Sequence, residues 1–309
     1  MIQCILIYAL SVILSATVSS NNLPSFIATL HGSGIVGKKT RIALVLIGVS
    51  LGLFLEGWKL IKFKELIPQP GSNVLITCAL ILTLIIFLVS TSLGIPISLS
   101  HVLAAFLIGS SISLSLFQNY PYIGLIALSW ILTPIISLLL SLISFYFADK
   151  LFSKKSIWTR TKAFKMSLLI ASTYTAYVFG CNTLGLLAAV TFVDSLGFLQ
   201  TTLIVWIGSV FGVLLGGERT VKKVSRGIYE LGYSTGLSSQ VGGALTIELF
   251  TQLSVPVSVT QATVSGLIGP ALAKRIKIIK WRNYFYMLAQ WFIAPILAFL
   301  LGYLTPLIM

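Results

Sequence analysis

Long apolar segments alternate with short polar connections along the whole chain. The longest apolar stretches cover residues 42–55, 74–89, 123–147, 203–215 and 284–307. A helix that crosses the ~30 Å hydrocarbon core of a bilayer needs about 20 mainly apolar residues. The pattern therefore predicts an all-α polytopic membrane protein with about 10–12 membrane segments, some of them broken or re-entrant near the centre.

Composition and charge indicate a protein that is embedded in the lipid bilayer of a cell membrane. Hydrophobic residues make up 57% of the 309 positions and charged residues only 9%. The net charge of +14 comes from lysines and arginines in short connections, as cytoplasmic loops require. None of these connections is long enough for a nucleic-acid-binding module, so we expect no nucleic-acid partner. The three cysteines lack metal-ligand spacing, and we expect neither a metal site nor a cofactor.

A six-residue motif occurs twice and divides the chain into two repeats. Residues 96–101 read Pro-Ile-Ser-Leu-Ser-His, and residues 256–261 read Pro-Val-Ser-Val-Thr-Gln, 160 positions later. The same offset relates a Gly-x-x-x-Gly pattern in the two halves, and a Trp-x-x-x-Pro pattern recurs at an offset of 161. The predicted repeats are residues 1–160 and 161–309.

Each repeat is predicted to contain two interruptions of helical structure. Proline lacks a backbone donor and disfavours helix in the residue before it, so each Pro-Ser motif predicts a break followed by a new helix. A polar break is also expected where the first apolar helix of each half ends, at residues 19–25 and 180–185. The Gly-x-x-x-Gly helices are predicted to pack closely against a neighbour.

Charge differences between equivalent connections predict that the two repeats have opposite orientations in the membrane. The connection at 38–41 is basic whereas 194–200 has no Lys or Arg, and 118–122 is uncharged whereas 274–282 is strongly basic. The basic connection at 150–165 is then the cytoplasmic join, and both termini lie outside. One cluster opposes this scheme, because Lys59, Lys62 and Lys64 would be external.

The breaks are candidate sites for a tetrahedral oxyanion. Free backbone N–H groups at a helix N-terminus attract anions, and hydroxyl or amide side chains add donors. Ordinary helix capping by Ser and Thr is the alternative interpretation of the same residues. The candidate substrate-binding residues are Asn21, Asn22, Ser25, Ser98, Ser100, Asn182, Thr183, Ser258 and Thr260.

These motifs resemble those of the inorganic phosphate transporter family, and the resemblance covers nearly the whole chain. The Pro-Ser breaks are similar to its Pro-Val-Ser-Thr-Thr-His signature, and residues 19–25 and 180–186 resemble its duplicated Gly-Ala-Asn-Asp-x-x-Asn motif. The Trp-x-x-x-Pro helices are also similar. The resemblance implies an inverted-repeat phosphate permease driven by sodium or protons, with sulfate-transporting relatives. It assigns binding roles to Asn21, Asn182, Ser98, Ser100, Ser258 and Thr260.

Departures from the family pattern bear on the coupling ion. The acidic residue of the Asn-Asp motif is Asn22 in one half and Thr183 in the other, so no sodium-binding carboxylate is carried over. We therefore expect proton coupling through Glu248 or His101, with sodium as the alternative.

For both the transported substrate and the functional class of the protein, the sequence leaves an alternative. Phosphate is favoured by the resemblance, and sulfate by the lack of a carboxylate acceptor among the motif residues. A passive anion channel is the alternative from another class, and a homodimer is an open alternative for the assembly. An intramembrane enzyme is not expected, because the sequence offers no nucleophile–base pair or metal-ligand cluster.

Overall fold

The computed structural model describes residues 2–33, 35–67, 72–93, 97–115, 119–193, 196–216, 232–275 and 281–308, apart from the side chains of 31–33, 91–93 and 283. These parts are nearly all helical and contain no strand. The α-helices are α1 (Ile2–Ser33), α2 (Lys38–Glu56), α3 (Ser72–Leu93), α4 (Leu99–Ser113), α5 (Tyr120–Phe152), α6 (Ile157–Phe179), α7 (Gly185–Thr191), α8 (Phe198–Leu215), α9 (Tyr233–Gln252), α10 (Val259–Ala273) and α11 (Trp281–Ile308). A 3₁₀ segment, Gly57–Leu66, follows α2, and a π-helical turn, Gly180–Leu184, joins α6 to α7.

The prediction of an all-α polytopic membrane protein is confirmed. Six helical stretches in the described part of the chain are long and apolar enough to cross a membrane: Ile2–Leu30, Lys38–Leu66, Ser72–Ser90, Tyr120–Phe152, Phe198–Leu215 and Tyr284–Ile308. The predicted 10–12 segments are reached only by counting shorter or more polar helices as well. Helices α4 and α10 have 15 residues each. At 1.5 Å per residue they extend about 22 Å, too short for a full crossing.

Helix α5 shows how the apolar and polar positions are distributed between lipid and protein. Ser129, Thr133, Ser137 and Ser141 recur every four residues, and each is fully buried. The opposite face exposes leucines and isoleucines such as Leu128, about half-exposed. The buried face packs against α9 and α10, and the Ser137 hydroxyl donates to the Ala262 carbonyl. Small polar residues allow such close helix approach in membranes, whereas the aliphatic face suits lipid.

The Gly-x-x-x-Gly helices pack as predicted, and the two contacts are reciprocal between the halves. A side chain at Gly52 of α2 would overlap the Tyr177 backbone in α6, and one at Gly212 of α8 would overlap the Ala16 backbone in α1. Each glycine helix therefore packs on the first helix of the other half. The equivalent positions are 160 and 161 residues apart, as in the repeat. The repeat boundaries and the inverted orientation themselves stay predictions.

Of the four predicted breaks, two coincide with non-helical residues, one is a π-helical turn and one is absent. The break at 255–258 is present as non-helical backbone between α9 and α10. Ile97 and Ser98 are likewise non-helical before α4, while Pro96 lies outside the described residues. At 180–185 the interruption is a π-helical turn rather than extended chain.

The predicted break at 19–25 is wrong, because α1 continues through this region with Pro24 inside it. Proline removes one backbone hydrogen bond, from its own nitrogen to the carbonyl four residues earlier. Membrane helices tolerate this loss when neighbouring groups satisfy the freed carbonyl. Polar residues around a proline therefore did not suffice to end the helix.

Candidate functional site

The second break is anchored by a buried hydroxyl pair at the N-terminus of α10. Ser258 is the N-cap, and its Oγ accepts a hydrogen bond from the Gln261 backbone N–H at 3.1 Å. The Thr260 hydroxyl lies 3.0 Å from the Ser258 hydroxyl. Capping thus occurs as the alternative interpretation proposed. Capping does not use the full hydrogen-bonding capacity of the pair, because one of its two hydroxyl hydrogens remains available to donate after the contact between the hydroxyls.

Asn182 holds the extended chain that leads to this hydroxyl pair. Its Nδ2 donates to Thr251 Oγ1 at 2.9 Å and to the Val255 carbonyl at 3.0 Å. Its Oδ1 accepts from the Val257 backbone N–H at 2.9 Å. Both amide hydrogens are therefore committed to protein partners, and none remains to donate to an anion. In this arrangement Asn182 positions the break, a role that differs from the substrate contact expected from the sequence.

The first break places the hydroxyls of Ser98 and Ser100 at the start of α4. Ser98 caps α4, its Oγ accepting from the His101 backbone N–H at 3.3 Å. The Ser100 hydroxyl is buried and forms no hydrogen bond with any described residue. Buried polar groups are nearly always satisfied, so an unsatisfied hydroxyl beside a helix N-terminus indicates a place where a ligand or water binds.

The two breaks meet around a pair of tryptophans. The imidazole of His101 packs on the Trp130 ring with centroids 4.7 Å apart, and the backbone of Trp291 lies next to it. Gln261, which is equivalent to His101 in the other half, donates from Nε2 to the Trp130 carbonyl at 2.9 Å. Within the described part of the chain, the imidazole nitrogens, both indole nitrogens and Gln261 Oε1 form no hydrogen bond of normal geometry. This cluster extends the polar centre from one break to the other.

The two tryptophans at the breaks are not among the site residues predicted from the sequence, and neither is the buried Gln240. The recurring Trp-x-x-x-Pro spacing was the available signal for Trp130 and Trp291. Gln240 on α9 is buried; its Nε2 donates to the Ser25 carbonyl at 3.0 Å and to Thr29 Oγ1 at 3.1 Å, and its Oε1 accepts from Thr175. It therefore links α1, α6 and α9.

The remaining motif residues lie on α1 and in the π-helical turn that follows α6. Asn21 and Ser25 are half-buried on α1. Asn22 is buried, and its Nδ2 donates to the Val18 carbonyl of the same helix. Thr183 is buried in the π-helical turn next to Asn182. Among the predicted residues, Asn182 is joined to the second break by hydrogen bonds. Asn22 instead forms its hydrogen bond within its own helix.

Glu248 belongs to a second polar cluster, which contains Glu56 and Cys181. One ligand atom from each of these three residues lies within 4.8 Å of the other two. Lys59 forms a 3.1 Å ion pair with Glu56, and Gln252 donates to both carboxylates. Two carboxylates and a thiol can bind a proton or a small cation, while Lys59 compensates one negative charge. Cys181 neighbours Asn182, so the cluster lies beside the second break.

Short helices that begin at buried, hydroxyl-lined breaks in a multi-pass membrane protein are typical of membrane permeases. Comparison with known proteins defines the family. The model of the phosphate transporter family matches residues 18–302, and the chain belongs to this family.

Individual relatives agree with this assignment. A protein of Methanocaldococcus jannaschii that carries the name of a phosphate permease is 31% identical over 290 residues, covering 92% of this chain and 91% of that protein. The sulfate permease CysP of Bacillus subtilis is 25% identical over 307 residues, covering 95% of this chain and 84% of that protein. A solved structure named the sodium-dependent phosphate transporter superposes with a TM-score of 0.83 over 98% of both chains at 16% identity, which shows a shared fold.

Proposed function

We propose that this protein is a secondary-active permease for inorganic phosphate. The observation that carries the proposal is the family match, which spans both hydroxyl-lined breaks. The N-termini of α4 and α10, with Ser98, Ser100, Ser258 and Thr260, supply backbone and hydroxyl donors to a tetrahedral oxyanion. A transporter of this kind needs no catalytic group, and the proposed site contains only binding groups.

Sulfate is the second candidate substrate. The similarity to a sulfate permease favours it. So does the chemistry of Ser98, Ser100, Ser258 and Thr260, which offer hydroxyls and no carboxylate. Phosphate near neutral pH keeps one or two protons and benefits from an acceptor, whereas sulfate needs donors only. Hydroxyl donors alone discriminate poorly between the two anions, whereas the buried Gln261 Oε1 next to them is an acceptor that would favour phosphate.

Uptake competition tests the substrate assignment. We expect cells or liposomes containing the protein to take up labelled phosphate, and a large excess of sulfate to reduce this uptake. Undiminished phosphate uptake in excess sulfate would contradict recognition by the hydroxyl donors alone. Sulfate uptake without any phosphate uptake would make sulfate the substrate.

We further propose alternating access by two inverted repeats, with both termini outside and 150–165 in the cytoplasm. The reciprocal packing of α2 on α6 and of α8 on α1 supports this organisation. In a variant with the three native cysteines replaced by alanine, a single cysteine at Ser156 should react only with reagent from the cytoplasmic side. A single cysteine at Tyr120 should react only from outside. Reaction of both from one side would rule out the proposed topology.

Coupling to protons is proposed through Glu248, with His101 as the other candidate. The grouping of Glu248 with Glu56 and Cys181 beside the second break supports the carboxylate as the coupling group. Sodium is the alternative, because the structural relative is named as sodium-dependent and carboxylates also bind sodium. The assembly state, including a homodimer, stays a prediction.

A further inference from the structure

We propose that Gln261 distinguishes phosphate from sulfate, its Oε1 accepting a hydrogen bond from a P–O–H group of the bound anion. The inference rests on the proposed function, because it requires a tetrahedral oxyanion at the two breaks. Phosphate near neutral pH keeps one or two protons, whereas sulfate keeps none. An acceptor held at the site is therefore satisfied by phosphate and left without a partner by sulfate.

The amide group of Gln261 is fixed in one orientation. Its Nε2 donates to the Trp130 carbonyl on α5 at 2.9 Å. A carbonyl can only accept, so the nitrogen faces Trp130 and the oxygen is the free end of the amide. Gln261 is only 1% exposed, and its Oε1 has no hydrogen-bond partner within the described part of the chain. Because buried acceptors are nearly always satisfied, this oxygen indicates a place for a donor that comes with the ligand.

The free oxygen belongs to a residue of the same helical turn as the hydroxyl donors of the second break. Gln261 is the third residue of α10, and its backbone N–H donates to the Oγ of Ser258, the N-cap. The Thr260 hydroxyl lies 3.0 Å from the Ser258 hydroxyl. One turn of helix rises about 5.4 Å, so a single turn carries both hydroxyls and the acceptor.

The side chain of Gln261 extends from the second break toward the first. Its partner Trp130 packs on the His101 ring with centroids 4.7 Å apart, and His101 follows Ser100 in the first turn of α4. The Gln261 amide therefore lies in the polar centre between the two helix N-termini. His101 is the equivalent residue of the first break, but an imidazole nitrogen donates or accepts according to its tautomer. The amide oxygen can only accept, so it is the group that a fully deprotonated anion leaves unsatisfied.

Competition by three unlabelled anions against labelled phosphate uptake tests this role in the wild-type protein. Arsenate keeps protons near neutral pH as phosphate does, whereas sulfate and fluorophosphate are tetrahedral dianions without an O–H group. Sulfate and fluorophosphate should therefore need roughly 10-fold higher concentrations than arsenate to halve the uptake. A large excess of sulfate still competes, because the hydroxyl donors bind all three anions.

Two variants separate the acceptor from the hydrogen bond to Trp130. Gln261→Met removes both the acceptor and the amide donor. Gln261→Glu removes the amide donor but keeps an oxygen that accepts in either protonation state. We expect Gln261→Met to raise the KM for phosphate roughly 10-fold and to abolish the preference for arsenate over sulfate and fluorophosphate. Gln261→Glu should keep that preference, which a purely structural loss would not alter because it weakens all anions alike.

The outcomes separate this inference from the proposed function. Wild-type protein that takes up no phosphate would overturn the proposed function and the role of Gln261 with it. Phosphate uptake that all three competitors inhibit equally would overturn the role of Gln261 alone, and this comparison needs no variant to fold. A preference that persists in Gln261→Met, or that disappears in Gln261→Glu as well, would also overturn it, because the acceptor would then not be the cause.

Discussion

Replacing Asn182 by alanine should destabilise the protein and abolish anion uptake. The substitution removes the hydrogen bonds to Thr251, Val255 and Val257, and leaves a buried backbone carbonyl and a buried backbone N–H without partners. An unsatisfied buried group costs about 1–3 kcal/mol, so we expect a loss on the order of 3–5 kcal/mol. Uptake should fail as well, because the extended chain before Ser258 loses the group that holds it. Thermal unfolding in detergent, together with uptake in liposomes, measures both effects.

Asn22→Ala is the matched control for the stability effect. Both asparagines are buried, but among the described residues Asn22 bonds only to a carbonyl of its own helix. Its loss should lower the stability by about 1 kcal/mol. If the Asn182 variant unfolds at the same temperature as the wild type, the proposed positioning role is wrong.

Ser100→Ala should weaken anion binding strongly without affecting stability. The Ser100 hydroxyl is buried and has no hydrogen-bond partner among the described residues, so its removal breaks no protein contact. A hydrogen bond to a charged ligand is worth about 1.5–3 kcal/mol, which corresponds to a roughly 10- to 100-fold loss of affinity. Concentration-dependent uptake should therefore show a raised KM in a protein that unfolds at the wild-type temperature.

Ser110→Ala, on the same helix α4, should have the opposite effects on stability and on affinity. The Ser110 hydroxyl is also buried, but it lies 3.0 Å from the carbonyls of both Phe106 and Gly302. Its removal should lower the stability by about 1 kcal/mol and leave the affinity of the folded protein unchanged. Equal affinities of the Ser100 variant and the wild type would assign Ser100 a purely structural role.

Much of the architecture follows from short-range sequence features. Apolar length predicted the membrane helices, and proline followed by serine predicted the start of α10. The Gly-x-x-x-Gly pattern predicted a close contact, which Gly52 and Gly212 make. These predictions succeeded because backbone geometry and side-chain size act locally. Pro24 shows the limit, since whether a proline ends a membrane helix depends on neighbours that the local sequence does not define.

The site was less predictable because its contacts join distant parts of the chain. The sequence motif predicts a substrate-binding role for Asn182, but the hydrogen bonds of its side chain to Val255 and Val257 depend on how the halves pack. Gln240 carries no motif of its own, and its role emerges only from contacts with α1 and α6. Likewise, Glu56 and Glu248 are 192 positions apart, and only the fold brings them together.

Phosphate accumulation by the purified protein in sodium-free liposomes tests the central claim most directly. With the external medium more acidic than the interior, we predict that labelled phosphate accumulates above its external concentration. A protonophore should abolish this accumulation, and Glu248→Gln should remove its dependence on the pH gradient. Uptake that only equilibrates the two concentrations would contradict secondary-active transport and indicate a passive anion channel. Accumulation that follows a sodium gradient and ignores pH would contradict proton coupling.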